Sequence, residues 1–231
     1  MPKRLKETMI RSDFHMHTAF STDSEEAVES MLNRAVERGL YSVCITDHMD
    51  ADYPPDDEMG ESAFRLDTEN YFPFLLKKKK EYEERIQVRI GIELGLQKHL
   101  GTRYETLIEK YPFDFVIGSM HLVCGEDPYT GKVFEELGDA QVYRRMFCET
   151  LECIRKIKCF DVLGHLDYVV RYGKHQAEAY SYEKFSDEID MILRELISSG
   201  KGLELNMAGI KYGLGSVSYT HLRAHETGRN L

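Results

Sequence analysis

The sequence predicts an α/β protein built on a parallel sheet covered on both faces, and three observations carry this. Short apolar runs alternate with helix-patterned stretches along the 231 residues, the signature of strand–helix repeats. The apolar runs are nearly continuous, as in strands buried on both sides. A histidine or a glutamate stands at the C-terminal end of one run after another, the rim where parallel barrels assemble their sites.

The first run, Ile10–Asp23, reads IRSDFHMHTAFSTD. His15 and His17 lie two residues apart, so on a strand they point the same way at about 7 Å. That spacing suits one divalent ion, and Asp23 can reach a second from the loop. Ser24 is placed to cap a helix, with Glu25 and Glu26 in its first turn. Val28, Met31, Leu32 and Ala35 carry the buried stripe, and Gly39 ends it.

Tyr41–Thr46 is a second strand that runs directly into Asp47 and His48. A long acidic loop, Met49–Asp67, follows as a candidate lid. Glu69–Ile86 is a charged helix whose Lys77–Lys80 form a solvated face. Val88–Leu94 is the third strand, with Gly91 and Glu93 opposite Val88, Ile90 and Ile92. A carboxylate between Gly91 and Gly95 marks a place where something approaches the backbone closely.

A short helix at Thr102–Lys110 leads to a strand at Phe113–Met120 that ends at His121. Asp139–Ile157 is an amphipathic helix around Val142, Met146, Leu151 and Ile154. Phe160–Gly164 is a fifth strand, ending in His165-Leu166-Asp167. Tyr182–Ser199 is a helix stopped by Gly200, and Leu203–Asn206 begins a sixth strand.

Composition narrows the function. The chain is 42% hydrophobic and 30% charged, with neither an 18-residue apolar span nor a signal-peptide core, so the expected location is cytoplasmic and no membrane partner is expected. Five cysteines without a CxxC pair read as reduced thiols, mostly in the core. A net charge of −10 argues against a nucleic-acid partner and requires a phosphate substrate to be met by local cations. The oligomeric state is not legible.

Of nine histidines, His99 and His175 read as surface residues. The candidate ligands are His15, His17, Asp23, His48, Glu93, His121 and His165, with Asp47 and Asp167 as carboxylates that could orient an imidazole. Mixed imidazoles and carboxylates suit Zn, Mn or Fe. Seven ligands exceed the needs of one tetrahedral ion, so two to three divalent metal ions are expected. Such clusters activate water and clamp the oxygens of a phosphoryl displacement.

SDFHMHTAFSTD, ITDH, GIELG, IGSMH and GHLDYVVRYG, in this order, resemble the PHP (polymerase and histidinol phosphatase) superfamily, and most nearly its monofunctional histidinol-phosphatase branch. The resemblance covers about residues 10–214. It implies a distorted (β/α)7 barrel with a trinuclear centre. His15 and His17 would hold one ion, and Glu93 would bridge to a second held by His121 and His165. Asp23 and His48 would hold the third. The implied reaction is hydrolysis of the small-molecule phosphate ester L-histidinol phosphate in histidine biosynthesis. Arg171 is a candidate phosphate clamp, and the acidic lid (Asp50, Asp52, Asp56, Asp57, Glu58) would attract a cationic substrate. The alternatives are another PHP phosphoesterase, acting on nucleotides, oligonucleotide ends or phosphotyrosine, and a non-catalytic metal-binding domain.

After LELNMAGIKYGLG the resemblance stops. Relatives continue to a last strand bearing an aspartate and a histidine that complete the metal set. Val217–Glu226 instead back-translates into a sequencing-adapter end. The expectation is therefore a PHP domain over 1–215, incomplete at its C-terminal strand and poorly active, followed by a non-native tail over 216–231. His221 and His225 in that tail are not read as a metal site.

Overall fold

The computed structural model describes residues 11–55, 60 and 63–206. The tail, with His221 and His225, and the lid residues Asp56, Asp57 and Glu58 lie outside the described residues. The strands are β1 (Ser12–Met16), β2 (Ser42–Ile45), β3 (His48–Met49), β4 (Gln87–Gly95), β5 (Phe115–Ser119), β6 (Val162–Leu163) and β7 (Gly202–Leu203). All pair in parallel, in the order β1-β2-β4-β5-β6-β7, with β3 also pairing β4. The helices are α1 (Val28–Glu37), α2 (Thr68–Glu81), α3 (Gly101–Lys110), α4 (Lys132–Leu137), α5 (Asp139–Lys156), α6 (Gln176–Ala179) and α7 (Ser186–Ser198).

The sheet is curled into an incomplete barrel. Phe14 on β1 packs edge-on against Phe115 on β5, ring centroids 5.4 Å apart, although two strands separate them in the sheet order. Among the described residues β1 and β7 do not pair, so the wall has a seam there. Across it, His15 Nδ1 on β1 lies 2.6 Å from Glu204 Oε1, just past β7.

Helices return the chain between most successive strands. On α1, Val28, Leu32 and Ala35 are buried as the spacing predicts, and Gly39 follows with φ +70°. Ser24 does not cap α1, which begins only at Val28; its hydroxyl instead donates to the His17 carbonyl. The long helix α5 buries Val142, Met146, Leu151 and Ile154, and the expected helix at Tyr182–Ser199 is split into a 3-10 turn, Tyr182–Lys184, and α7. Lys77–Lys80 are less solvated than expected, since Lys78 is held between Glu29 and Glu81 and Lys79 pairs with Asp114. The five cysteines are free, but only Cys44 and Cys153 are buried and Cys124 is exposed.

One device recurs at the lower rim. Asp114 accepts from the Ile90 amide on the preceding strand at 2.8 Å, and Asp161 accepts from the Val116 amide at 2.8 Å. Each carboxylate supplies an acceptor to a backbone amide of the preceding strand.

Candidate metal centre

Strand register brings the centre together. Glu93 near the end of the central strand β4 stands opposite His48 on β3 and Ile117 on β5. Alternation points Glu93 to the barrel interior, where it is completely buried. A Cβ on Gly91 would meet Cys44, Thr46 and the Phe115 carbonyl at 2.6–2.8 Å, so this stretch of β4 tolerates no side chain there. His15 and His17 project together from the end of β1, with ring centroids 5.1 Å apart and stacked. His121 and His165 follow the ends of β5 and β6.

Glu93 is the hub. Its Oε2 lies 3.1 Å from His15 Nε2, 3.3 Å from His17 Nε2 and 3.3 Å from His48 Nδ1. Its Oε1 lies 3.3 Å from His121 Nε2 and 3.1 Å from His165 Nε2. Asp23, exposed at the mouth, lies 3.5 Å from His17 Nδ1 and 3.6 Å from His48 Nε2. Three sets therefore have ligand-type atoms within 4.8 Å of one another: His15, His17 and Glu93; His17, Asp23 and His48; His48, Glu93 and His121.

The donors fit cations better than they fit each other. Glu93 Oε2, His121 Nε2 and His17 Nδ1 are buried without a hydrogen-bond partner among the described residues, although nitrogens crowd Glu93 Oε2 at contact distance. Buried polar atoms left unpaired are costly. Here their atoms converge on shared points instead of aligning with one another. Imidazole nitrogens with carboxylate oxygens match the preferences of Zn, Mn or Fe.

Electrostatics agree. Burial opposes ionisation of Glu93, but the charges of His15, His48 and His121 hold its carboxyl well below its ordinary value. Burial also disfavours imidazolium, yet the Glu93 charge together with hydrogen bonds to Glu204 at His15, and to Asp23 and Asp50 at His48, outweighs it and raises both to about 10. Asp50 and Glu93 together raise His121 to about 10. His165 is pushed down by burial.

Of the carboxylates the sequence indicated, Asp47 turns to the loop after β1 and not to a ring. Asp47 accepts from the Thr18 amide and hydroxyl and from the Ser21 hydroxyl at 2.6–2.9 Å. It fixes the loop after β1, and burial raises its pKa. Asp167 opens the 3-10 turn Tyr168–Tyr172, where its carbonyl accepts from the Val170 amide.

Asp50 and Glu204 act on the rings instead. Asp50 Oδ1 lies 2.6 Å from His121 Nδ1 and Oδ2 lies 3.2 Å from His48 Nδ1. Glu204 takes His15 Nδ1 and, at 2.8 Å, the His165 amide. Asp50 is thus a buried orienting group and not a lid charge, while Asp52 pairs on the surface with His99 and Arg103. A Cβ on Gly95 would collide with the Asp50 carboxylate, which explains that glycine.

Two buried phenols set the backbone beneath the ligands, and the sequence reading missed both. Regular pairing with β4 lapses between β2 and β3, where the Tyr71 hydroxyl from α2 lies 3.1 and 3.0 Å from the Ile45 and Gly91 carbonyls. From α3, the Tyr104 hydroxyl lies 2.6 Å from the Gly95 carbonyl and 3.1 Å from that of Met49, and it accepts from the Ala51 amide at 3.3 Å. It brackets Asp50 on both sides.

The centre forms the floor of a 610 Å³ cavity whose upper walls include Tyr53, Phe64, Asp127, Tyr168, Arg171 and Tyr172. The Arg171 guanidinium lies 4.6 Å from the Tyr168 ring centroid and 5.9 Å from that of Tyr172. Among the described residues no helix is long and apolar enough to cross a membrane.

Residues 13–208 match the model of the PHP domain family. The chain is 30% identical over 200 residues to the histidinol-phosphatase of Lactococcus lactis subsp. lactis, covering 86% of this chain and 72% of that protein. It is 33% identical over 195 residues to the probable histidinol-phosphatase of Clostridium acetobutylicum, covering 84% and 72%. In three dimensions it resembles the Lactococcus lactis histidinol phosphate phosphatase crystallised with zinc, L-histidinol and phosphate, with a TM-score of 0.78, 29% identity, and 85% and 73% of the two chains covered. A histidinol phosphatase-like protein from Listeria monocytogenes shares the fold at a TM-score of 0.78 and 19% identity, over 93% and 90% of the chains.

Proposed function

The chain belongs to the PHP domain family, and from that premise we propose that it is a metal-dependent phosphomonoesterase that hydrolyses L-histidinol phosphate to L-histidinol and phosphate. One observation carries this reading: five imidazole nitrogens stand 3.1–3.3 Å from the two oxygens of a buried glutamate. The relative that shares this fold was crystallised with zinc and with both products of that reaction.

His15, His17 and Glu93 would hold one ion, Glu93, His121 and His165 a second, and Asp23 with His48 a third. Zn, Mn and Fe all suit this donor set. Bound ions of this kind lower the pKa of water and draw charge from phosphoryl oxygens. The protein's share is positioning. Glu204 and Asp50 accept from the Nδ1 atoms of His15 and His121, which presents each Nε2 to the centre. Arg171, held by its ring contacts at the cavity wall, would pair with phosphate oxygens. The aromatic walls keep water away from the ester and strengthen every charge interaction within.

Phosphate release from L-histidinol phosphate by the zinc- or manganese-loaded chain, set beside a nucleotide and phosphotyrosine, tests the reading. Preference for L-histidinol phosphate is expected. Preference for either of the others would move the activity elsewhere in the family, and a loaded chain that binds no phosphate would point to a non-catalytic metal site.

A further inference from the structure

Two aromatic files leave the metal centre and meet at one carboxylate. The first runs from His48 to Phe64 at 5.1 Å between centroids and on to Tyr53 at 4.8 Å. The second runs from His121 and His165 to Tyr168 at 5.5 and 5.0 Å, then to Tyr172 at 5.2 Å and Tyr129 at 6.0 Å. They converge on Asp127, whose Oδ2 accepts from the Tyr53 hydroxyl and whose Oδ1 accepts from the Tyr129 amide at 2.8 Å.

Asp127 lines the cavity and is only 8% exposed. None of the described lysines, arginines or histidines forms an ion pair with it. Arg171 is the one lysine or arginine among the described residues that lines the cavity. A carboxylate this buried is costly unless a cation joins it. Its hydrogen bonds to a phenol and an amide leave lone pairs open on both oxygens.

We propose that Asp127 is the specificity-determining residue for the leaving group, receiving the protonated amine of the alcohol whose phosphate lies over the metal centre. The inference rests on the phosphomonoesterase reading above and adds the polarity of the substrate. The anionic end goes to the histidines and Arg171, the ammonium on the carbon beside the phosphate-bearing CH2 goes to Asp127, and the imidazole packs against the aromatic walls. A phosphomonoester whose alcohol carries no cationic group would leave this carboxylate desolvated and unpaired, so the site rejects it. The bland role, capping the 3-10 turn Pro128–Thr130, needs only one of its oxygens.

The test is calorimetric binding of L-histidinol and of inorganic phosphate to the zinc-loaded full chain, in wild type, Asp127→Asn and Tyr53→Phe. Asp127→Asn keeps the shape and the cap but removes the charge. It should weaken L-histidinol roughly 10- to 100-fold, the worth of one charge-assisted hydrogen bond, with phosphate affinity and zinc content unchanged. Tyr53→Phe keeps the charge and should retain L-histidinol. The analogue of L-histidinol that lacks the amine should bind wild type and Asp127→Asn alike.

Unchanged L-histidinol binding in Asp127→Asn overturns the inference and leaves the phosphatase reading standing. So does equal weakening of both ligands, or equal weakening in Tyr53→Phe, since either makes Asp127 a packing residue. A wild-type chain that binds zinc and phosphate but no L-histidinol overturns the inference together with the assigned substrate. One that binds neither ligand overturns the phosphomonoesterase reading as well.

Discussion

Replacing Asp50 with asparagine perturbs the centre without touching a proposed ligand. The carboxylate is almost fully buried and faces His121 Nδ1 at 2.6 Å and His48 Nδ1 at 3.2 Å. It accepts from both rings, whereas a carboxamide accepts through one atom and donates through the other. One ring must then turn its unprotonated nitrogen toward the amide and carry its proton on Nε2. For His121 that nitrogen faces Glu93 at 3.3 Å, where a metal would bind. Exchanging charge-assisted for neutral hydrogen bonds costs about 1–1.5 kcal/mol, and the tautomer conflict adds to it. The expected result is a 10- to 100-fold loss of zinc affinity, about 1.4–2.7 kcal/mol. Competition against a chromophoric chelator measures this, with metal per chain by mass spectrometry and circular dichroism as the check on folding. Gly95→Ala should act in the same direction, because the added methyl displaces the same carboxylate. A folded Asp50→Asn protein with wild-type zinc affinity would refute the orienting role.

Three further outcomes follow from the same geometry. Tyr104→Phe removes the hydroxyl shared by the Gly95 and Met49 carbonyls and the Ala51 amide, which should lower stability by about 1–2 kcal/mol and Tm by several degrees in thermal melts. Chelation should lower Tm, and excess zinc should restore it; saturation at a hundred times Kd corresponds to about 2.7 kcal/mol, so a melt unmoved by either would contradict a centre bound to the native state. Burial opposes the ionised Asp114 carboxyl, but Lys79 and the Ile90 amide hold it below its ordinary value. Its stabilisation is therefore present above pH ~4 and lost as pH falls through the lowered pKa. Asp114→Asn should be about 1 kcal/mol less stable near neutrality, and denaturant titrations should show that gap closing in acid.

Much of this was legible in the sequence because parallel strands end where sites form. His15, His17, His48, Glu93, His121 and His165 could be read off as strand-end residues, and the structure brings all of them to one point. Asp23 joins them from a loop, as its distance from His17 allows. The failures share a cause. Asp47 adjoins His48 in sequence, yet chain neighbours on an extended backbone point apart, so proximity in sequence misled. Asp50 belongs to a two-residue step past His48 and looked like one more charge in an acidic loop. Glu204 reaches His15 across the seam, 189 residues away, and no local pattern encodes that. Asp127 and Tyr53 meet across 74 residues, and no local pattern pairs the two loops that carry them. The Tyr71 and Tyr104 hydroxyls were invisible because a buried tyrosine on a helix reads as core until its hydroxyl finds a partner.

Glu93 argues that the cluster holds cations for a purpose other than stability. A fully buried carboxylate is a poor choice for a core, because an apolar residue of similar volume would avoid its desolvation. Asp50 and Glu204 add buried or half-buried negative charge within one imidazole of it. Rings raised to about 10 show how strongly this arrangement draws positive charge, and protons on the rings satisfy it only by blocking the nitrogens that face the centre. Divalent ions neutralise the carboxylates and take the imidazole lone pairs at once. The barrel tolerates this concentration of charge because β4 carries Glu93 between glycines, where neighbouring backbone and Asp50 can close around it. Stability alone would have filled that space with leucine.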